Sequence, residues 1–146
     1  MRRRLVICPF GAEPHLPEKP LSDKTILIAE DEFLIATDLE QICLDAGAAG
    51  VIIVPDLGNL DAAAAYDAAV LDLAIGGGST AQFAAELMKQ GRPFIFTTGA
   101  SDLQSLAEDF PGVPVVGKPI AGPDLIDAIA HAIRQGGGAS TGGMTD

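Results

Sequence analysis

Basic residues are scarce in this chain: nine lysines and arginines stand against twenty aspartates and glutamates in 146 residues, a formal net charge of −11. Nucleic-acid binders need a basic face to release counterions, so this balance argues against a DNA or RNA partner. Cysteine is nearly absent too. Of the two, Cys8 and Cys43, the second falls on the apolar stripe of a helical pattern and reads as a buried free thiol. His15 and His131 have no Cys or His partner at metal-ligand spacing. Long hydrophobic runs are also missing. The stretch Leu5 to Phe10 is broken by Pro9 and is shorter than the roughly 7 to 15 residues of a secretory core. No later run approaches the roughly 18 apolar residues that span a bilayer, and a cytoplasmic protein is expected.

What is present suits one globular domain, since 48% of residues are hydrophobic and 20% charged. Residues 1–23 read as an amino-terminal extension with prolines at 14, 17 and 20, residues 24–135 as the domain, and residues 136–146 as a flexible glycine-rich tail with no output domain after it. Between the ends, short apolar runs alternate with helical stripes, the pattern of an α/β domain with a parallel sheet. The runs are Thr25 to Ala29, Val51 to Val54, Ala69 to Leu73, Phe94 to Thr97 and Val113 to Val116. Helices are expected over Ile35 to Ala46, over an alanine-rich stretch from about Leu60 to Asp67, after a Thr80 cap, from Ser101 or Asp102, and from Pro123 until the glycines at 136. Five strands and five helices result.

In doubly wound sheets, ligands bind beyond the carboxyl ends of the strands. Asp72 closes a run that is otherwise apolar, and an ionised Asp on a strand buried on both faces avoids a large desolvation cost only at that rim. Three other strand ends carry polar residues: Glu30-Asp31, Thr98 and Lys118. Carboxylates crowded together repel unless a divalent cation intervenes, and Mg²⁺ accepts carboxylates, a backbone carbonyl and waters. Asp31 and Asp72 are therefore candidate metal ligands, with the carbonyl of Ala74 as a third. A carboxylate can also attack phosphorus, in a reaction that needs positioning and charge neutralisation above all. Asp72 is the candidate nucleophile, with Lys118 as a point charge on one phosphoryl oxygen and the Thr98 hydroxyl as a donor to another. Gly76 to Gly78 would form a mobile loop beside them.

The segments ILIAED, VLDL, FTTG and VVGKP, in this order and spacing, resemble the receiver domain of two-component response regulators over about residues 24 to 135. The resemblance implies an α/β, doubly wound, five-stranded parallel sheet of flavodoxin-like (βα)5 type with strand order 2-1-3-4-5. It also implies a Mg²⁺-dependent phosphoryl transfer to Asp72 from a histidine kinase or phosphotransfer protein. Glu30 and Asp31 then match the acidic pair that joins Asp72 and Ala74 at the metal, Thr98 the switch hydroxyl and Lys118 the phosphate-binding lysine, with a cis Lys118-Pro119 bond. Signalling would pass by protein contact to a downstream target, without nucleic acid or membrane; a homodimer stays open. Val115 stands where many receivers carry an aromatic switch residue. PFIFTTGAS further resembles a group of stand-alone alphaproteobacterial receivers, with Thr97 in an alanine's place.

Two other readings compete. A Mg²⁺-dependent phosphatase or phosphotransferase would need a second acid/base carboxylate near Asp72, commonly two residues on, where Ala74 sits. A phosphorylation-independent binding module is not separated by the motifs. Glu32 and Asp38 read as solvated, and Asp102, Glu108 and Asp109 as an acidic patch around a helix.

Overall fold

In a computed structural model, residues 19–142 are described, with side chains through Gly136. The apolar runs become a parallel sheet because each lacks a wet side. β1 (Thr25–Ala29), β3 (Ala68–Asp72) and β6 (Phe94–Thr98) are buried almost throughout, as expected of central strands covered on both faces. β2 (Gly50–Val54) and β7 (Val115–Gly117) form the edges, in the order β2-β1-β3-β6-β7. Counted in chain order, these five parallel strands follow the expected 2-1-3-4-5 arrangement. The switch in strand order falls between β1 and β3, so the carboxyl ends of these two strands open the crevice.

Helices α1 (Phe33–Asp45) and α4 (Gly122–Gly142) cover one face. There Leu39, Cys43, Leu125 and Ile129 pack on Ile26, Ile28, Val70 and Ile95. Just ahead of β1, Leu21 is fully buried at the edge of this layer and its N–H donates to the Ala46 carbonyl. On the opposite face lie α2 (Ala81–Gln90) and α3 (Leu103–Asp109), with Phe94, Phe96 and Phe110 packed edge to face at centroid distances of 5.0 to 6.2 Å. Aromatic pairs favour this arrangement because ring edges are positive and ring faces negative.

The helix expected from about Leu60 to Asp67 is not there, leaving four α-helices rather than five among the described residues. Asp56 caps a single 3-10 turn, Leu57–Asn59, and an irregular segment follows. Its carbonyls go to a distant partner: the Arg92 guanidinium donates to Ala62, Ala64 and Tyr66 oxygens and lies 4.1 Å over the Tyr66 ring. An eight-residue alanine-rich stretch is too short to hold a helix unaided, and these charge-assisted bonds favour the irregular path.

Helix α4 does not stop at Gly136 but runs on to Gly142. Gly136 serves close packing instead, since a Cβ there would stand 2.8 Å from Pro93 Cγ. The fourth strand includes Thr98, the fifth starts at Val115 rather than Val113, and α3 follows a 3-10 turn over Ala100–Asp102. Among the described residues no helix is long and apolar enough to cross a membrane. Cys8, His15, residues 1–18 of the expected amino-terminal extension and residues 143–146 of the expected tail lie outside the described residues.

Candidate phosphoryl and metal site

The sheet register lines up the site. Ala29 pairs with Leu71, and Asp72 with Thr97, so Glu30, one residue past the end of β1, comes beside Asp72 at the carboxyl edge. Oxygens of Glu30, Asp31 and Asp72 all lie within 4.8 Å of one another. Lys118, just past β7, donates from Nζ to Asp72 Oδ2 at 2.9 Å and stands 3.8 Å from Glu30 Oε1. Its backbone N–H donates to the Thr98 carbonyl at 2.8 Å, tying the lysine to the end of β6. The Lys118-Pro119 peptide is cis.

Burial sets the electrostatics. Glu30 is 1% exposed; loss of solvent pushes its carboxyl up to about 7, against the Glu32 N–H that bonds it, while the Asp72 charge adds to the rise and Lys118 opposes it. Burial draws the Lys118 ammonium down, but its hydrogen bond to Asp72 and the charges of Asp72, Glu30 and Glu32 more than offset this, and it titrates above its ordinary value. Four groups thus share a small volume with one cation among three carboxylates.

The donor set fits a hard divalent cation. All the side-chain donors are oxygens, the chemistry Mg²⁺ selects. Glu30 Oε2 accepts from the Glu32 N–H at 3.1 Å, but its buried Oε1 has no hydrogen-bond partner. Such an oxygen is costly unless a cation compensates it. Glu30, Asp31 and Asp72 could hold the ion, with the carbonyl of Ala74, an exposed residue on the adjoining segment.

That segment is more ordered in form than the mobile loop expected from its glycines. β4 (Ala74–Ile75) and β5 (Gly78–Ser79) form a small antiparallel hairpin. Its turn residues Gly76 and Gly77 both have positive φ, 54° and 81°, which a glycine pair adopts without strain. The Gly76 N–H donates to Asp31 Oδ2 at 2.8 Å, anchoring the tip on the acidic cluster. Sequence reasoning missed Gly76 in this role. The Gly76-Gly77 pair, flanked by Ile75 and Gly78, was the available signal.

Thr80 was expected to cap α2 with its side chain, and it does not. Its hydroxyl donates to the Asp72 carbonyl at 2.9 Å, while Ser79 Oγ accepts from the Ala81 N–H at 3.0 Å. Thr98 lies buried at the end of β6, and Thr97 is fully buried with no partner for its hydroxyl. Val115 is half-buried against the aromatic cluster. Glu32, Asp38, His131, Asp102, Glu108 and Asp109 are exposed.

No protein-family model and no curated protein sequence matches the chain. Solved structures do. The chain is 34% identical to SdrG from Sphingomonas melonis Fr1, with 78% of this chain and 98% of that one covered at a TM-score of 0.60. It is 26% identical to a response regulator receiver protein from Sinorhizobium medicae WSM419, with 80% and 98% covered at a TM-score of 0.67. The chain is a response regulator receiver domain. A signal receiver domain from Bacteroides fragilis, at 18% identity and a TM-score of 0.67 over 77% of this chain and 98% of that one, shares the receiver fold. In this receiver the acidic cluster and Lys118 stand together at the carboxyl edge of the sheet.

Proposed function

We propose that this receiver accepts a phosphoryl group on Asp72 from a histidine kinase or phosphotransfer protein, in a Mg²⁺-dependent reaction, and signals by protein contact. The observation that carries the reading is the Lys118 ammonium held 2.9 Å from the carboxylate of buried Asp72, inside a group of three carboxylates. An Asp72 oxygen attacks phosphorus, the bond from phosphorus to the donor imidazole nitrogen breaks, and that nitrogen keeps the electron pair and takes a proton. A bound divalent cation supplies charge neutralisation at the transferring group. Lys118 moves its ammonium from the carboxylate to a phosphoryl oxygen, and the Thr98 hydroxyl donates to another. Beside the site a cleft of about 560 Å³ runs between α1 and Lys118–Ile120, and Phe33 and Leu34 stand 76% and 79% exposed on α1. Apolar side chains so placed suit a partner protein that docks over the acceptor. The domain is a phosphorylated signalling element, not a catalyst that turns over a small molecule.

Intact-protein mass after incubation with acetyl phosphate tests this, with and without Mg²⁺, on wild type and Asp72→Ala. A single Mg²⁺-dependent phosphoryl adduct on wild type, absent from the variant, is expected. No adduct under any condition would favour a phosphorylation-independent binding module.

A further inference from the structure

Thr80 is fully buried and sits at the N-cap position of α2. A threonine there ordinarily turns its oxygen to the helix amides. Here it makes no such bond, and the hydroxyl faces the other way, donating to the Asp72 carbonyl at 2.9 Å. The Thr80 N–H donates to the Leu73 carbonyl at the same distance. The ladder between β3 and β6 ends at the pair Asp72 and Thr97, so these carbonyls lie where the sheet runs out of partners.

The hairpin explains how Thr80 returns to this place. Ala74 pairs with Ser79 and Ile75 with Gly78, which brings Leu73 and Thr80 opposite each other at its open end. The hairpin is therefore tied at its base to the Asp72–Leu73 backbone through Thr80 and at its tip to Asp31 through Gly76. Ala74 lies between the two ties. Fixing the peptide planes on either side of Leu73 fixes the direction in which Asp72 presents its carboxylate to Lys118, and the placement of the Ala74 carbonyl.

We infer that Thr80 is a positioning residue for the acceptor, its hydroxyl holding the Asp72 backbone in the conformation that phosphoryl transfer uses; this rests on Asp72 being the acceptor. Valine has the same shape but cannot donate, and would leave the Asp72 carbonyl without its partner.

The test follows the rate of the Mg²⁺-dependent mass adduct with acetyl phosphate, together with amide hydrogen exchange at Ala74 and Gly76 in the metal-free protein. Thr80→Val is expected to slow adduct formation about tenfold, the scale of one lost buried hydrogen bond, and to speed exchange at both amides. Thr80→Ser keeps the donor and should return both readouts to within about twofold of wild type. Ser79→Ala removes the oxygen that accepts from the Ala81 N–H, weakening the start of α2 without touching Asp72; it should lower the melting temperature and leave the rate alone. A wild-type rate in Thr80→Val, an equal slowing in Ser79→Ala, or no recovery in Thr80→Ser would overturn the inference. Should the valine variant fail to fold, Thr80→Ala is read the same way. Absence of an adduct on wild type would remove the acceptor reading itself, and the exchange comparison would still decide whether Thr80 holds the backbone.

Discussion

On one face of the sheet, α1 and α4 lay periodic apolar stripes over Ile26, Ile28, Val70 and Ile95; on the other, two shorter helices share the cover with an irregular segment stapled by Arg92. The first face is held by repeated contacts at helical spacing, so that losing one leaves its neighbours. The second depends on single long-range contacts that no neighbour duplicates. Regularity and irregularity should therefore fail in different ways.

The largest difference should come from the regular face. Cys43 is fully buried there, and burial pushes its thiol up to about 12 from an ordinary value of 9.0. Above pH 9 the unfolded chain has lost a proton that the folded protein keeps, so stability falls as pH rises. The loss amounts to about 1.4 kcal/mol per pH unit, approaching about 4 kcal/mol by pH 12. Urea unfolding between pH 9 and 10.5 should show a shallower decline in Cys43→Ala than in wild type. Parallel declines would show that the thiol is not the group responsible.

An effect of intermediate size belongs to the irregular face. Arg92→Ala removes the donors to the Ala62, Ala64 and Tyr66 carbonyls and the charge over the Tyr66 ring. A loss of about 2 to 3 kcal/mol is expected, with faster hydrogen exchange confined to residues 57–67. Exchange that rises uniformly across the sheet would mean that the segment is not separately held.

The smallest effect is expected at the carboxyl edge, in solvent. Asp31 is exposed and adds negative charge to a crowded cluster, so Asp31→Ala relieves repulsion while losing the bond from the Gly76 N–H. Its stability should stay within about 0.5 kcal/mol of wild type while Mg²⁺ affinity, read by calorimetric titration, falls. A steep drop in melting temperature would make Asp31 structural.

The same contrast explains what the amino-acid sequence disclosed. The central strands and α1 were legible because apolar runs and a helical stripe are local signals, as at Thr25–Ala29 and at Leu39 and Cys43. The convergence of Glu30, Asp31, Asp72 and Lys118 followed from strand ends alone, since a parallel sheet gathers its carboxyl termini on one edge. The segment before β3 was misread because its alanines favour helix locally, while its partner Arg92 lies on the far side of β3 and α2. Gly136 was misread because a glycine that permits close approach to Pro93 looks the same in one dimension as a glycine that ends a helix. The alternative bonding of Thr80 was hidden for a related reason: a hydroxyl ahead of a helix announces that it will bond, but not to what.

The gathering of groups from the carboxyl ends of β1, β3, β6 and β7 and from the hairpin has a consequence for folding. No contiguous fragment contains the site, and the Lys118 contact to Asp72 exists only once both strands have found their places beside β6. The constellation therefore assembles and dissolves with the sheet as a single cooperative event. An ion that binds only the assembled form adds its binding free energy to the global equilibrium, about 2.7 kcal/mol at one hundred times its dissociation constant. Cation concentration would then govern how long the whole domain stays folded, as well as whether one aspartate can react.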